Sequence, residues 1–141
     1  MQAITTIDNA PWHEALRAGQ LLAQRCSGCG QLRHYPRPMC PHCHAMQADW
    51  VSLDGGARIH SWTVVHHSIL PGFSDAVPYT LVTVDLDEGG RMVALLAQAD
   101  AALLIGMTVR ISVQVGPTGA PMPACRLAGE TASRPTPPVR D

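Results

Sequence analysis

Cys26-Ser27-Gly28-Cys29-Gly30 and, with ten residues between the pairs, Cys40-Pro41-His42-Cys43 decide how this chain folds. A two-residue spacer lets both sulfurs of a pair point at one centre, and two such knuckles supply a closed tetrahedral thiolate shell. Glycines stand where the first knuckle must turn sharply. The pairing predicts a structural Zn²⁺ held by Cys26, Cys29, Cys40 and Cys43, ahead of two disulfides or four unrelated thiols. The same sulfurs suit iron as well, because a four-thiolate shell does not choose between the two metals by geometry. His42 and His44 flank the second knuckle, but four sulfurs already complete the shell. A catalytic zinc keeps an open position, which such a shell lacks, so the metal holds shape.

Around this motif the chain divides by composition. Asn9–Ala18 reads as a short helix, with Asn9 as cap, Pro11 in the first turn and Gly19 at the end. Trp12, Leu16 and Ala15 share one face, too small to fold alone, which docks on this domain or on a partner. Residues 9–20 are thus a helical segment and 21–49 a zinc module, with a strand at Gln31–Tyr35 and a return bent by Pro36 and Pro38. The module is too short to bury much apolar area, and metal binding offsets its folding cost.

Residues 50–128 read as strands. Ala57–His67 is rich in β-branched residues, and Tyr79–Leu86 and Arg91–Gln98 form a hairpin about Asp87-Glu88-Gly89-Gly90. Asp100–Ile105 forms a short helix or turn, then Met107–Val115 and Met122–Leu127 complete five strands. A small Greek-key barrel of the OB type is the architecture this order predicts. Residues 129–141, whose last nine hold three prolines, read as a disordered tail.

Composition narrows the function. Net charge is −1 and all ten basic residues are Arg. No signal peptide opens the chain and no run approaches the ~20 apolar residues of a membrane span. Four cysteines in metal spacing point to a reducing, cytoplasmic setting, and Cys125 reads as a small buried apolar residue. No nucleophile elbow, phosphate loop or dinucleotide turn is present. His66 and His67, adjacent on a strand, point to opposite faces and cannot act together. Asp85, Asp87 and Glu88 read as a solvated hairpin turn. The loop Ser68–Pro78 carries the only Phe, Phe73, beside Ile69 and Leu70; it is an interaction surface or a cover over one end of the barrel. Arg25, Arg33, Arg37 and Arg58 give the zinc module a mildly basic face that suits phosphate oxygens or is simply solvated.

In this order the parts resemble the DUF35 family across roughly residues 10 to 128. The resemblance rests on the two knuckles, Tyr35-Pro36-Arg37 before the second, the strand entry Gly56–Ser61, Pro78-Tyr79 and Ile105-Gly106-Met107. It implies a rubredoxin-like zinc ribbon and an OB-fold, with the four cysteines on the ribbon's metal positions. It also implies a non-catalytic helper of a thiolase-like enzyme (thiolase, acyltransferase or aldolase), in a hetero-oligomer that shares an acyl-CoA ligand. The ribbon and helix would line or bridge the acyl-CoA site while the partner holds the catalytic groups. Arg33, Arg37, Phe73, Tyr79 and Trp12 are the residues expected to contact the CoA thioester or the partner. A ribbon joined to an OB barrel also serves single-stranded nucleic-acid binding. That use calls for a basic footprint and aromatic platforms, against aromatics at 4% and a charge of −1 here.

Overall fold

The computed structural model describes residues 5–98 and 101–128. The tail expected over 129–141 lies outside them. Helix α1 spans Ala10–Arg17, with Asn9 at its N-cap position. The Asn9 side chain does not cap the helix; its Oδ1 turns back to accept from the Thr6 amide at 2.7 Å and closes the preceding turn. Gly19 ends the helix at φ +74°, with its N–H bonded to Leu16 O and the next N–H to Ala15 O. Trp12, Ala15 and Leu16 are all buried. Trp12 and Leu16 join the core of the barrel, so the helix docks on its own chain.

The ribbon is a three-stranded antiparallel sheet in the order β2-β1-β3: β1 Leu22–Cys26, β2 Leu32–Arg33 and β3 Ala48–Ser52. Only the middle of the expected Gln31–Tyr35 strand pairs. β1 and β3 carry the sheet although Val51 is their sole β-branched residue. Cross-strand pairing runs from Leu22↔Ser52 to Cys26↔Ala48. The boundary placed between residues 49 and 50 therefore falls inside β3.

The barrel is closed in the order β4-β5-β6-β8-β7, which is the OB arrangement. Its strands are β4 Gly56–Val65, β5 Tyr79–Leu86, β6 Arg91–Leu96, β7 Thr108–Val115 and β8 Pro121–Leu127. Alternating Val82, Val84 and Leu86 on β5, Met92 and Ala94 on β6, and Val109 and Ile111 on β7 fill the interior with Ala57, Ile59 and Cys125. Cys125 is fully buried, and burial pushes its thiol up to about 11, so it serves as core.

Two departures from the sequence pattern matter. A bulge between Ile59 and Ser61 breaks the register of β4, and Ser61–Val64 are exposed beyond it. β4 also stops at Val65, so His66 and His67 lie past the strand and are exposed instead of alternating across it. Among the described residues between β6 and β7 there is no helix. Residues 101–107 run as coil to a turn at Ile105–Gly106, with Gly106 N–H bonded to Ile59 O at 2.7 Å.

Ribbon and barrel are clamped together. Gly55, at φ +91°, accepts from the Ile111 amide at 2.7 Å, and a Cβ built there would collide with the Ile111 carbonyl. Arg110 Nη2 donates to Asp54 Oδ1 at 3.1 Å and to Asp54 O at 3.2 Å. Asp54 N–H donates to Glu88 Oε1 at 2.7 Å, and Asp87 N–H to Gly56 O at 3.0 Å. The hairpin turn expected to be solvated is thus a strut against the linker. Among the described residues no helix is long and apolar enough to cross a membrane.

Candidate metal centre and binding surfaces

The two knuckles are built alike. Cys26 O accepts from Gly30 N–H at 2.9 Å, and Cys40 O accepts from His44 N–H at 3.0 Å. Cys26 N–H donates to Gln31 O and Cys40 N–H to Ala45 O. Each turn closes on a residue in the left-handed region, Gly30 at φ +74° and His44 at φ +63°. His44 therefore fills a conformational position that glycine fills in the other knuckle. Gly28 is needed for space: a Cβ there would stand 2.9 Å from Ala45 Cβ and 3.2 Å from Cys43 Sγ.

The four Sγ atoms lie within 4.8 Å of one another. Cys26 Sγ is 3.5 Å from Cys43 Sγ, and Cys29 Sγ is 3.7 Å from Cys40 Sγ. A tetrahedral shell with metal–sulfur bonds of about 2.3 Å has edges of about 3.8 Å, so the sulfurs fit a single ion. Cys26 and Cys40 are buried, Cys29 and Cys43 exposed. The backbone N–H groups of Cys43 and His42 bring the Cys40 thiol down to about 6, and that of Cys29 lowers Cys26. Gln31 N–H also favours the Cys29 thiolate, but partial desolvation by the surrounding knuckles and the hydrogen-bonded neighbouring sulfurs outweigh it and raise Cys29 to about 12. The amides thus favour thiolate on the two buried sulfurs, the form a metal binds. Among the described residues neither His42 nor His44 joins this group.

The remaining candidates are scattered. Trp12 is 2% exposed and Arg33 7%, so both are mostly interior side chains. Trp12 meets His34 edge-on at 4.6 Å, and His34 stacks on Tyr35 at 4.5 Å, which ties helix to ribbon. Arg37 and Arg58 are exposed, and Arg58 donates to Gly106 O at 3.3 Å. Phe73 and Tyr79 are half-buried against each other, with ring centroids 5.1 Å apart. Gly72 packs against Thr118, while Ile69 and Leu70 stay exposed. Asp85 is not simply solvated: Arg91 Nε donates to it at 2.7 Å and His60 lies 3.4 Å away. Arg91 first, then His60, holds that carboxyl below its ordinary range.

Among the described residues, two clefts bear on the site. One, of about 560 Å³, lies where helix, ribbon and barrel meet, with Trp12, His13, Arg17, Tyr35, Val93 and Met122 among its walls. The other, of about 600 Å³, is lined by residues that include Trp62, Val64, Tyr79, Leu96 and Leu103. The first was not legible beforehand, because it needs three separated segments at once.

Family models match both halves: the ChsH2 rubredoxin-like zinc ribbon domain over residues 13–47 and the ChsH2 C-terminal OB-fold domain over residues 50–114. A solved chain titled Ltp2-ChsH2(DUF35) aldolase superposes with a TM-score of 0.77 at 36% identity, covering 90% of this chain and 99% of that one. This chain belongs to the DUF35 family. Among curated relatives, a probable enoyl-CoA hydratase alpha subunit of Thermomonospora curvata is 42% identical over 72% of this chain and 32% of its own length. The 3-oxo-4,17-pregnadiene-20-carboxyl-CoA hydratase alpha subunit of Mycobacterium tuberculosis is 33% identical over 78% of this chain and 35% of its own length. The DUF35 chain described here thus spans about a third of those two relatives.

Proposed function

We propose that this chain is a non-catalytic accessory subunit of a thiolase-like enzyme complex, a thiolase, acyltransferase or aldolase, and that it shapes or bridges the partner's acyl-CoA site. The observation that carries this reading is the match along nearly the whole of the chain titled Ltp2-ChsH2(DUF35) aldolase. The hydratase alpha subunits support the acyl-CoA class of ligand. A four-thiolate zinc site with no open position agrees with a scaffold role for the metal.

The cleft at the junction of helix, ribbon and barrel is the surface best suited to a CoA thioester. Its lining combines apolar side chains (Val93, Leu95, Met122) with Arg17 and His13, and no carboxylate is among the lining residues. An apolar acyl or pantetheine arm and a phosphate need that combination. Arg37, Phe73 and Tyr79 keep surface for the ligand or the partner, while Trp12 supports the cleft from beneath.

The test is co-expression with a thiolase-fold enzyme encoded beside this chain. The two are expected to co-purify, and Arg17→Glu to raise the KM of the complex for its acyl-CoA while leaving the subunits associated. A chain that neither co-purifies with such an enzyme nor changes its activity would sink the reading.

A further inference from the structure

The ribbon buries a cation that its own hydrogen bonds do not neutralise. Arg33, 7% exposed, donates from Nε to Gln24 Oε1 at 2.7 Å and from Nη2 to the Arg37 carbonyl at 3.1 Å. Its Nη1 is buried without a partner among the described residues. Both acceptors are neutral. The carboxylates found in ion pairs, Asp54 and Asp85, face Arg110, Arg91 and His60 instead. A guanidinium taken out of water is costly unless a counter-charge lies nearby.

That counter-charge is available on the same sheet. β1 and β2 pair in the register Gln24↔Arg33, and side chains two apart on a strand share a face. Arg33, Gln24 and Cys26 therefore line one side of the ribbon. Gln24 Oε1 also accepts from the Arg37 amide at 2.9 Å, and Arg37 leads within three residues to Cys40. Arg33 thus bonds to a residue just before the first knuckle and to another just before the second. Four thiolates around one divalent ion carry a net charge of about −2, and buried charges are screened far less than exposed ones.

We propose that Arg33 is a positioning residue of the metal centre: its guanidinium balances the charge of the metal–tetrathiolate cluster while its hydrogen bonds to Gln24 and Arg37 hold the two knuckles together. Its burial then follows from the metal. Outer partners of a metal site commonly change affinity by about 10- to 100-fold when lost.

Chelator competition on the full chain measures this, with the thiolate-to-metal charge-transfer band of the cobalt-substituted protein as a second readout. Arg33→Met is expected to weaken zinc binding by about tenfold or more, and Arg33→Lys, which keeps the charge but not the fork, to recover most of that loss. Arg25→Met, an exposed change on the opposite face of β1, should leave affinity unchanged. Unchanged affinity in Arg33→Met overturns the proposal, and so does an Arg33→Lys as weak as Arg33→Met. Should Arg33→Met not fold even with metal, Gln24→Glu decides: a carboxylate beside Arg33 takes over its charge, and affinity should fall by about tenfold. A Gln24→Glu chain that binds zinc as tightly as the wild type, or more tightly, overturns the proposal as well.

Discussion

Gly55→Ala tests the joint between ribbon and barrel. Two penalties fall on this residue. At φ +91° an L-residue pays about 1–2 kcal/mol of backbone strain. The added methyl also meets the Ile111 carbonyl, which is backbone and cannot swing away. Ile111 is fixed by its N–H bond to Gly55 O and by its pairing with Cys125 across β7 and β8. Relief means losing a buried backbone hydrogen bond, roughly 1–3 kcal/mol. The sum is about 2–5 kcal/mol, or a fall in Tm of about 6–20 °C for a domain of this size. Two further glycines separate the causes. Gly106→Ala, at φ +82° with nothing within 4 Å, should cost only the strain, about 1–2 kcal/mol. Gly56→Ala collides with the Asp87 carboxylate, an exposed side chain free to turn outward, and makes ordinary contact with Asp54 Oδ2 at 3.6 Å, so it should cost about 1 kcal/mol or less. Denaturant unfolding of the metal-saturated proteins gives all three values. If Gly55→Ala and Gly106→Ala agree within about 0.5 kcal/mol, the close approach to Ile111 contributes nothing and the rigid joint is refuted.

Other expectations follow from single residues. His44→Gly relieves a non-glycine residue at φ +63° in the second knuckle and should stabilise the metal-bound protein by up to about 1 kcal/mol in the same assay; a loss of stability would show that the His44 side chain has a role of its own. Burial lowers the pKa of His34 to about 4, so between pH 4 and about 6.5 the unfolded chain takes up a proton that the folded chain refuses. Stability should therefore rise with pH across that window by up to about 3 kcal/mol and level off above it, and His34→Phe should flatten this part of the profile. Trp12→Ala removes the largest side chain that α1 places in the core and should cost about 3–5 kcal/mol; a loss below about 1 kcal/mol would mean the helix is not docked.

What the sequence made legible divides along physical lines. Features carried by local chemistry were readable: the knuckles by their spacing, α1 by Pro11 and Gly19, β5 and β7 by alternation, and the hairpin by its glycines. The ribbon's two longer strands were not, because Leu22–Cys26 and Ala48–Ser52 form through pairing with each other, and between them only Trp50 and Val51 are residues that favour a strand. The bulge at His60 was hidden because alternation continues on paper through Val65 while the register shifts in space. Arg33 shows the limit most clearly. Among ten arginines it reads as one more surface cation, and only the register with Gln24 makes it interior. Exposure, which decides whether a charge meets a ligand or a protein interior, is not a local property.

These contacts give a metal that does no chemistry a route to the proposed ligand cleft. The knuckles fix the segment between them, and that segment carries both Arg33 and the His34-Tyr35 pair. His34 packs on Trp12, and Trp12 is at once part of the barrel core and a wall of the junction cleft. Tyr35, 59% exposed and stacked on His34, forms the ribbon's side of that cleft. An ordered ribbon therefore sets the shape of a surface made mostly by helix and barrel. Loss of the metal is expected to release Tyr35 and uncover the His34 face of Trp12, while the five barrel strands have their own pairing. The cleft would lose a wall before the barrel lost its fold, so the zinc shapes the proposed ligand surface from one chain segment away.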